Sequence, residues 1–256
     1  MNERECFVKY VAQYDQTDPK ITLKFEHSLR VSDLCEELAF RLGMDVKDVV
    51  LAKRIGLLHD IGRFPQAARY GTFVDAHSVP HAQLSLQVLF EEGWIRCFTK
   101  NPSNDQVIDR AIRYHSDHHL SKELTPRESI FCHLLRDADK IDILRVHQQH
   151  TYTDFLNCDQ QEISASKISD EVLTAFQQQR TVDFKKRQTP LDILLSHDAL
   201  IFDLHYEESK QLFKEKGYRL LSILEGISFW EEETRERLKV IMDVCQQYGF
   251  MTKEIL

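Results

Sequence analysis

Apolar residues recur at three- and four-residue spacing along most of the chain, a period that predicts helices rather than strands. Phe25, Leu29, Leu34, Leu38 and Leu42 mark one helix, with Gly43 placed to end it. Asp45 is placed to cap the next, whose apolar face is Val49, Ala52, Ile55 and Leu58. Ser78 and Pro80 mark a further start ahead of Leu84, Val88 and Leu89, and Asn104 opens a run through Val107, Ile108 and Ile112. Thr125-Pro126-Arg127-Glu128 reads as a capping box with proline at the first helical position. The helix behind it carries Ile130, Leu134, Leu135, Ala138 and Ile141. Ser169 is placed to cap Val172, Leu173 and Phe176, and two more helices are expected over 207–225 and 231–248. The stretches 62–77, 97–104, 116–124 and 157–167 read as connections.

Composition supports the helical reading. The 256 residues include 8 glycines and 6 prolines, fewer than a turn-rich sheet protein needs. The expected fold is all-α: a helical bundle over residues 1–150, with auxiliary helices over 151–256 packed on it as one continuous domain. A hydrophobic share of 42% with 29% charged residues is that of an ordinary soluble globular protein. No apolar run approaches the roughly 18 residues of a membrane helix. The first residues lack a basic and then apolar export signal, so a cytoplasmic protein with no membrane partner is expected. Six cysteines without a C-x-x-C pair read as reduced thiols.

The formal charge of −8 argues against broad nucleic-acid binding. That charge is uneven. Residues 1–150 hold 20 basic and 22 acidic residues, whereas 151–256 hold 13 and 19. An anionic substrate is therefore not repelled by the first part. The same part holds ten of the twelve histidines.

Five of the expected helices each offer a ligand type. His27 lies on the first amphipathic helix, and His59-Asp60 ends the next. His81 is near the start of the following one, His115 is late on the one after, and Asp139 lies in Arg136-Asp137-Ala138-Asp139-Lys140. Imidazoles and carboxylates projecting from successive helices can build a metal site in a bundle. This donor set suits Mn, Fe, Ni, Co, Zn or Mg. A lone His-Asp pair means little, since His197-Asp198 occurs without such companions. For a single buried histidine, a hydrogen-bonded core position is the commoner case.

The order His27, His59-Asp60, Asp139 resembles the H…HD…D pattern of the HD-domain metal-dependent phosphohydrolases. His81 and His115 match two further histidines of many members. The resemblance covers roughly residues 20–150, and Arg69-Tyr70-Gly71-Thr72-Phe73 with Asp137–Asp142 is similar to a bacterial branch of that superfamily. It implies His27, His59, Asp60 and Asp139 as ligands of one divalent metal, with His81 and His115 joining a bridging Asp60 around a second. The implied reaction is hydrolysis of a phosphate ester or anhydride in a small molecule, a nucleotide among the candidates, by metal-bound hydroxide.

Asp60, Arg63 and Lys140 are the expected catalytic residues, and Arg63, Lys140, Arg69 and Arg30 the expected phosphate cations. For Arg30 a salt bridge to Glu26 or Asp33 is an equal expectation. His118 is a reserve ligand. His77 and His119 read as loop residues, and His133, His147 and His150 as surface or core positions. Asp142 is a candidate partner for a ligand or for Lys140, and Asp137 reads as a solvated residue. Phe184-Lys185-Lys186-Arg187 reads as a solvated turn, and Phe229-Trp230 as a core corner or a dimer anchor. Two alternatives use the same ligand shell: a di-iron oxygenase, and a non-catalytic metal- or nucleotide-binding sensor. The partners expected are a small phosphorylated molecule and, for the later helices, a second copy of the chain in a homodimer.

Overall fold

The computed structural model describes residues 2–250 other than 118, 150, 155 and 157; the expectations for His118 and His150 lie outside them. Among the described residues the structure is helical with no strand. Contacts divide the chain into two compact units, Met1–Asp139 and Lys140–Leu256. The division falls between Asp139 and Lys140, inside one helix.

The first unit opens with α1 (Glu3–Val11), closed by a capping box between Asn2 and Glu5. Helix α2 (Pro19–Arg41) starts earlier than its apolar pattern predicts. Asp18 caps it through the Lys20 N–H and Pro19 occupies the first turn. Gly43, at φ 69°, ends it as expected. Asp45 caps α3 (Val46–Leu58) through the Asp48 N–H, worth about 1 kcal/mol. These two helices pack closely because Gly56 has no side chain. A Cβ there would lie 2.8 Å from both Cys35 Sγ and the Val31 carbonyl oxygen.

The stretch 62–77 is not a bare connection. It holds α4 (Arg63–Tyr70), ended by Gly71 at φ 64°, and a 3-10 turn over Asp75–His77. Only two turns long, with Phe64 as its one large buried apolar residue, α4 is too short to show a period. Helix α5 (His81–Leu86) starts on Pro80, while Ser78 caps nothing there and instead accepts from Gln66. The helix continues as a π turn over Gln87–Glu91. Then follow α6 (Ile95–Phe98), α7 (Asp105–Tyr114) and α8 (Pro126–Val146). The Thr125–Glu128 capping box forms, with the Thr125 N–H donating to Glu128 Oε2 and the Glu128 N–H to Thr125 Oγ1.

Two expectations on α8 fail. Ile130 is exposed and Phe131 is buried in its place, and Asp137 is fully buried rather than solvated. From Phe131 onward α8 is buried on nearly every side, so its apolar spacing carries little information about direction.

In the second unit lie α9 (Gln160–Ser164), α10 (Asp170–Gln177), α11 (Pro190–Asp198), α12 (Glu207–Glu215) and α13 (Glu232–Gln247). Ser169 caps α10 through the Val172 N–H, as its sequence suggests. The helix expected to reach 225 stops at Glu215, because Gly217 turns the chain at φ 71°. Phe229 is buried while Trp230 is exposed. Phe184 is exposed beside Lys185 and Arg187. None of the described helices is long and apolar enough to cross a membrane, and all six cysteines are free.

The second unit also pairs His147 with His197, whose ring nitrogens lie 3.2 Å apart, and places Asp198 Oδ2 3.4 Å from His147. Burial, then His147 and Arg187, push the His197 pKa down to about 3 from its ordinary 6.5. Between those values the unfolded chain binds a proton that the folded chain does not, so stability falls as pH falls through this window. His197→Gln is expected to reduce the loss of thermal midpoint between pH ~7 and pH ~4. An unchanged slope would remove His197 as a source of acid lability.

Candidate metal centre

Four imidazoles and two carboxylates converge in the first unit. His27 sits on the buried face of α2, His59 and Asp60 at the end of α3, His81 at the start of α5, His115 at the end of α7 and Asp139 on α8. His59, Asp60, His81 and His115 are almost fully buried. All four rings face inward through Nε2. His27 Nε2 lies 3.2 Å from His59 Nε2 and 3.2 Å from Asp139 Oδ1. His81 Nε2 lies 2.9 Å from His115 Nε2.

Asp60 stands between these two sets. Its Oδ2 is 3.5 Å from His27 Nε2 and 3.6 Å from His59 Nε2. Its Oδ1 is 3.6 Å from His81 Nε2 and 3.8 Å from His115 Nε2.

The outer ring nitrogens settle the tautomers. His59 Nδ1 is 2.7 Å from the Gly56 carbonyl oxygen, and His115 Nδ1 is 2.7 Å from that of Ile112. His81 Nδ1 is 2.7 Å from Asp75 Oδ2. Carbonyls and carboxylates only accept, so all three Nδ1 atoms carry the hydrogen. In their neutral form these rings turn bare Nε2 lone pairs toward one another and toward Asp60. Burial, followed by the neighbouring His81 and His59, holds the His115 pKa down to about 3, and burial likewise lowers that of His59. Protonating His59 or His115 is therefore a poor way to relieve the clash of lone pairs.

A divalent cation relieves it. Ligand bonds of 2.0–2.2 Å imply ligand atoms about 3–3.5 Å apart, close to the separations found. Two sets, His27/His59/Asp139 and His59/Asp60/His115, each present ligand atoms within 4.8 Å of one another. Asp60 Oδ1, buried and without a hydrogen-bond partner, is the remaining sign that this donor set fits a metal.

Comparison with known proteins agrees. Residues 25–144 match the family model described as HD domain. Residues 25–144 are an HD domain. That family model implies a metal-dependent phosphohydrolase family. Ribonuclease Y of Listeria welshimeri and that of Listeria monocytogenes are each 33% identical over 119 residues, covering 46% of this chain and 18% of theirs. Ribonuclease Y of Nitratidesulfovibrio vulgaris is 60% identical over 38 residues, 15% of this chain and 7% of its own. The chain thus spans less than a fifth of the length of these curated relatives. No solved structure matches the chain.

Within the HD domain, short-range packing fixes the metal-facing side chains. Ser85 Oγ accepts from the Gly62 N–H and donates to the His59 carbonyl, both at 2.9 Å, pinning the turn that carries His59-Asp60. Phe64, just beyond that turn, packs edge-on against Phe7 and Tyr10 of α1. Arg136 of α8 donates to the carbonyls of Tyr114, His115 and Asp117, closing the end of α7 where His115 sits.

The cations around the HD domain's centre differ from the expected set. Lys24, outside the set expected from the sequence, lies one turn before His27 and donates to Asp60 Oδ2 at 2.7 Å. Its i,i+3 spacing from His27 was the available signal. Arg63 Nε is 3.6 Å from Asp60 Oδ1, and both Lys24 and Arg63 stand over the Phe73 ring. Burial alone would raise the Asp60 pKa; the Lys24 ammonium and the Arg63 guanidinium act against it, and this carboxyl is held well below the usual range. Asp139 is likewise held low against burial, chiefly by its bond to His27.

Arg30 pairs with Glu26 at 3.5 Å, and Arg69 is exposed on α4 on the side of Tyr10 and Tyr14. Lys140 belongs to the second unit, where its ammonium pairs with Asp203 at 2.7 Å, and Asp142 there pairs with Arg145. His77 and His119 are exposed.

Proposed function

We propose that this chain hydrolyses a phosphate ester or anhydride of a small molecule, with nucleotides the first class to try. One or two divalent cations would be held by His27, His59, Asp60 and Asp139, and by Asp60, His81 and His115. The observation that carries this reading is the set of lone pairs on His59, His81 and His115 that faces Asp60. A cation bound there lowers the pKa of a coordinated water and offsets charge on phosphoryl oxygens.

The protein's own groups then have defined tasks. Asp60 offers one oxygen to each set. Lys24 and Arg63 place positive charge beside Asp60, where phosphoryl transfer needs charge stabilisation. Phe73, beneath both cations, supplies an apolar wall for the rest of the substrate.

The likeness to proteins named ribonuclease Y supports a second reading, an RNA phosphodiester. The near balance of charge over 1–150 favours the small substrate, since a nucleic-acid groove needs a basic excess. The test is elemental analysis of the purified protein, followed by a panel of nucleotides, sugar phosphates and short RNAs with Mn, Mg, Co or Ni. Metal-dependent release of phosphate from a small substrate, stopped by chelator and weakened at least about tenfold in kcat/KM by Lys24→Ala, is the expected result. Faster cleavage of RNA than of any small molecule would move the assignment to a nuclease. A metal-loaded protein that cleaves nothing would sink the hydrolase reading.

A further inference from the structure

Asp75 lies outside the metal-facing set, on the 3-10 turn that follows α4, yet it touches both a metal-facing histidine and a phosphate-directed arginine. Its Oδ2 accepts from His81 Nδ1 at 2.7 Å. Its Oδ1 accepts from Arg63 Nη1 at 3.2 Å, from Gln66 Nε2 at 2.8 Å and from the His81 backbone N–H at 3.3 Å. Gln66 is fully buried and completes the frame. Its Oε1 accepts from Arg63 Nη1 at 2.7 Å, while its Nε2 also reaches Ser78 and the Val79 carbonyl. Arg63 Nη1 donates as well to the Phe73 carbonyl at 2.7 Å. The segment between α4 and α5 is thus tied down at Phe73, Asp75, Ser78 and Val79.

A neutral imidazole has one N–H, and whichever nitrogen carries it leaves the other as a ligand. A carboxylate on Nδ1 fixes Nε2 as the ligand, fixes the plane of the ring and makes the ring more basic. A guanidinium held by the same carboxylate has its remaining N–H groups aimed in a fixed direction. We propose that Asp75 is a positioning residue for this centre, setting His81 Nε2 toward the second cation and Arg63 toward the phosphate, so that one carboxylate couples the two. The cation and phosphate roles rest on the hydrolase reading above, whereas the His81 tautomer does not depend on it.

Asp75→Asn keeps the shape and removes the charge. In the full-length variant, titration with Mn is expected to show the second equivalent weakened about 10- to 100-fold, with the first within about twofold of the parent. In metal-free protein, nitrogen NMR is expected to find the His81 proton on Nδ1 in the parent and shared between both nitrogens in Asp75→Asn. Asp75→Ala is expected to repeat both changes. An unchanged His81 tautomer, or equal weakening of both equivalents together with a lower thermal midpoint, would overturn the proposal. A parent protein that binds no metal would sink the hydrolase reading and with it the coupling of cation to phosphate. The NMR comparison would still decide whether Asp75 orients His81.

Discussion

Asp60→Ala is expected to remove metal uptake and phosphohydrolase activity together, with the rate falling by roughly 1,000-fold or more. Asp60 faces both sets of imidazoles, Oδ2 toward His27 and His59 and Oδ1 toward His81 and His115. Without it, Lys24 loses its carboxylate partner and Arg63 keeps only Asp75, so uncompensated positive charge beside the bare imidazoles disfavours a cation further. His59→Ala is expected to act the same way, because His59 belongs to both candidate ligand sets. Elemental analysis and phosphate release, measured on the same preparations, check this. Either variant keeping its full metal content would remove Asp60 or His59 from the ligand set.

Gly62→Ala is expected to cost more than about 2 kcal/mol of stability and to weaken metal binding as well. Gly62 has φ −71°, so its need for glycine is not conformational. The reason is crowding. A Cβ would meet the Ser85 backbone nitrogen, lie 2.5 Å from the His81 carbonyl oxygen and 2.7 Å from the Leu84 carbonyl carbon. All three are backbone atoms of α5, so no side chain can swing away. The turn bearing His59-Asp60 and the helix bearing His81 would be forced apart. Denaturant midpoints give the stability, and Ser85→Ala is the control. That variant loses two hydrogen bonds without crowding and is expected to cost about 1–3 kcal/mol. A Gly62→Ala protein within ~0.5 kcal/mol of the parent would contradict the close approach.

Much of the fold was legible because its signals are local. Asp45, Thr125-Pro126 and Ser169 announce helix starts through groups within three residues, and Gly43 announces an end through its own backbone. The misses come where local signals are weak or misleading. Helix α4 is two turns long, α8 is buried on nearly every side, and Gly217 breaks a pattern that apolar spacing would have carried on. Asp137 reads as a surface residue in any sequence, since only its neighbours decide its burial.

The sequence by itself determined the all-α class, the HD pattern and the six residues His27, His59, Asp60, His81, His115 and Asp139 that the fold gathers. Ligand types at fixed order on successive helices are a property of the chain alone. Only the tertiary structure decided which cations stand beside them. Lys24 and Arg63 share Asp60 and the Phe73 ring, while Arg30 and Lys140 turn to other partners and Arg69 is exposed. It also decided the role of Asp75, six residues before His81 in the chain and 2.7 Å from its ring. The physical reason is reach. A long cationic side chain can point several ways from one backbone position, and a carboxylate in a loop has no periodicity to betray its direction. For such groups the nearest opposite charge, which three-dimensional packing alone supplies, selects the partner.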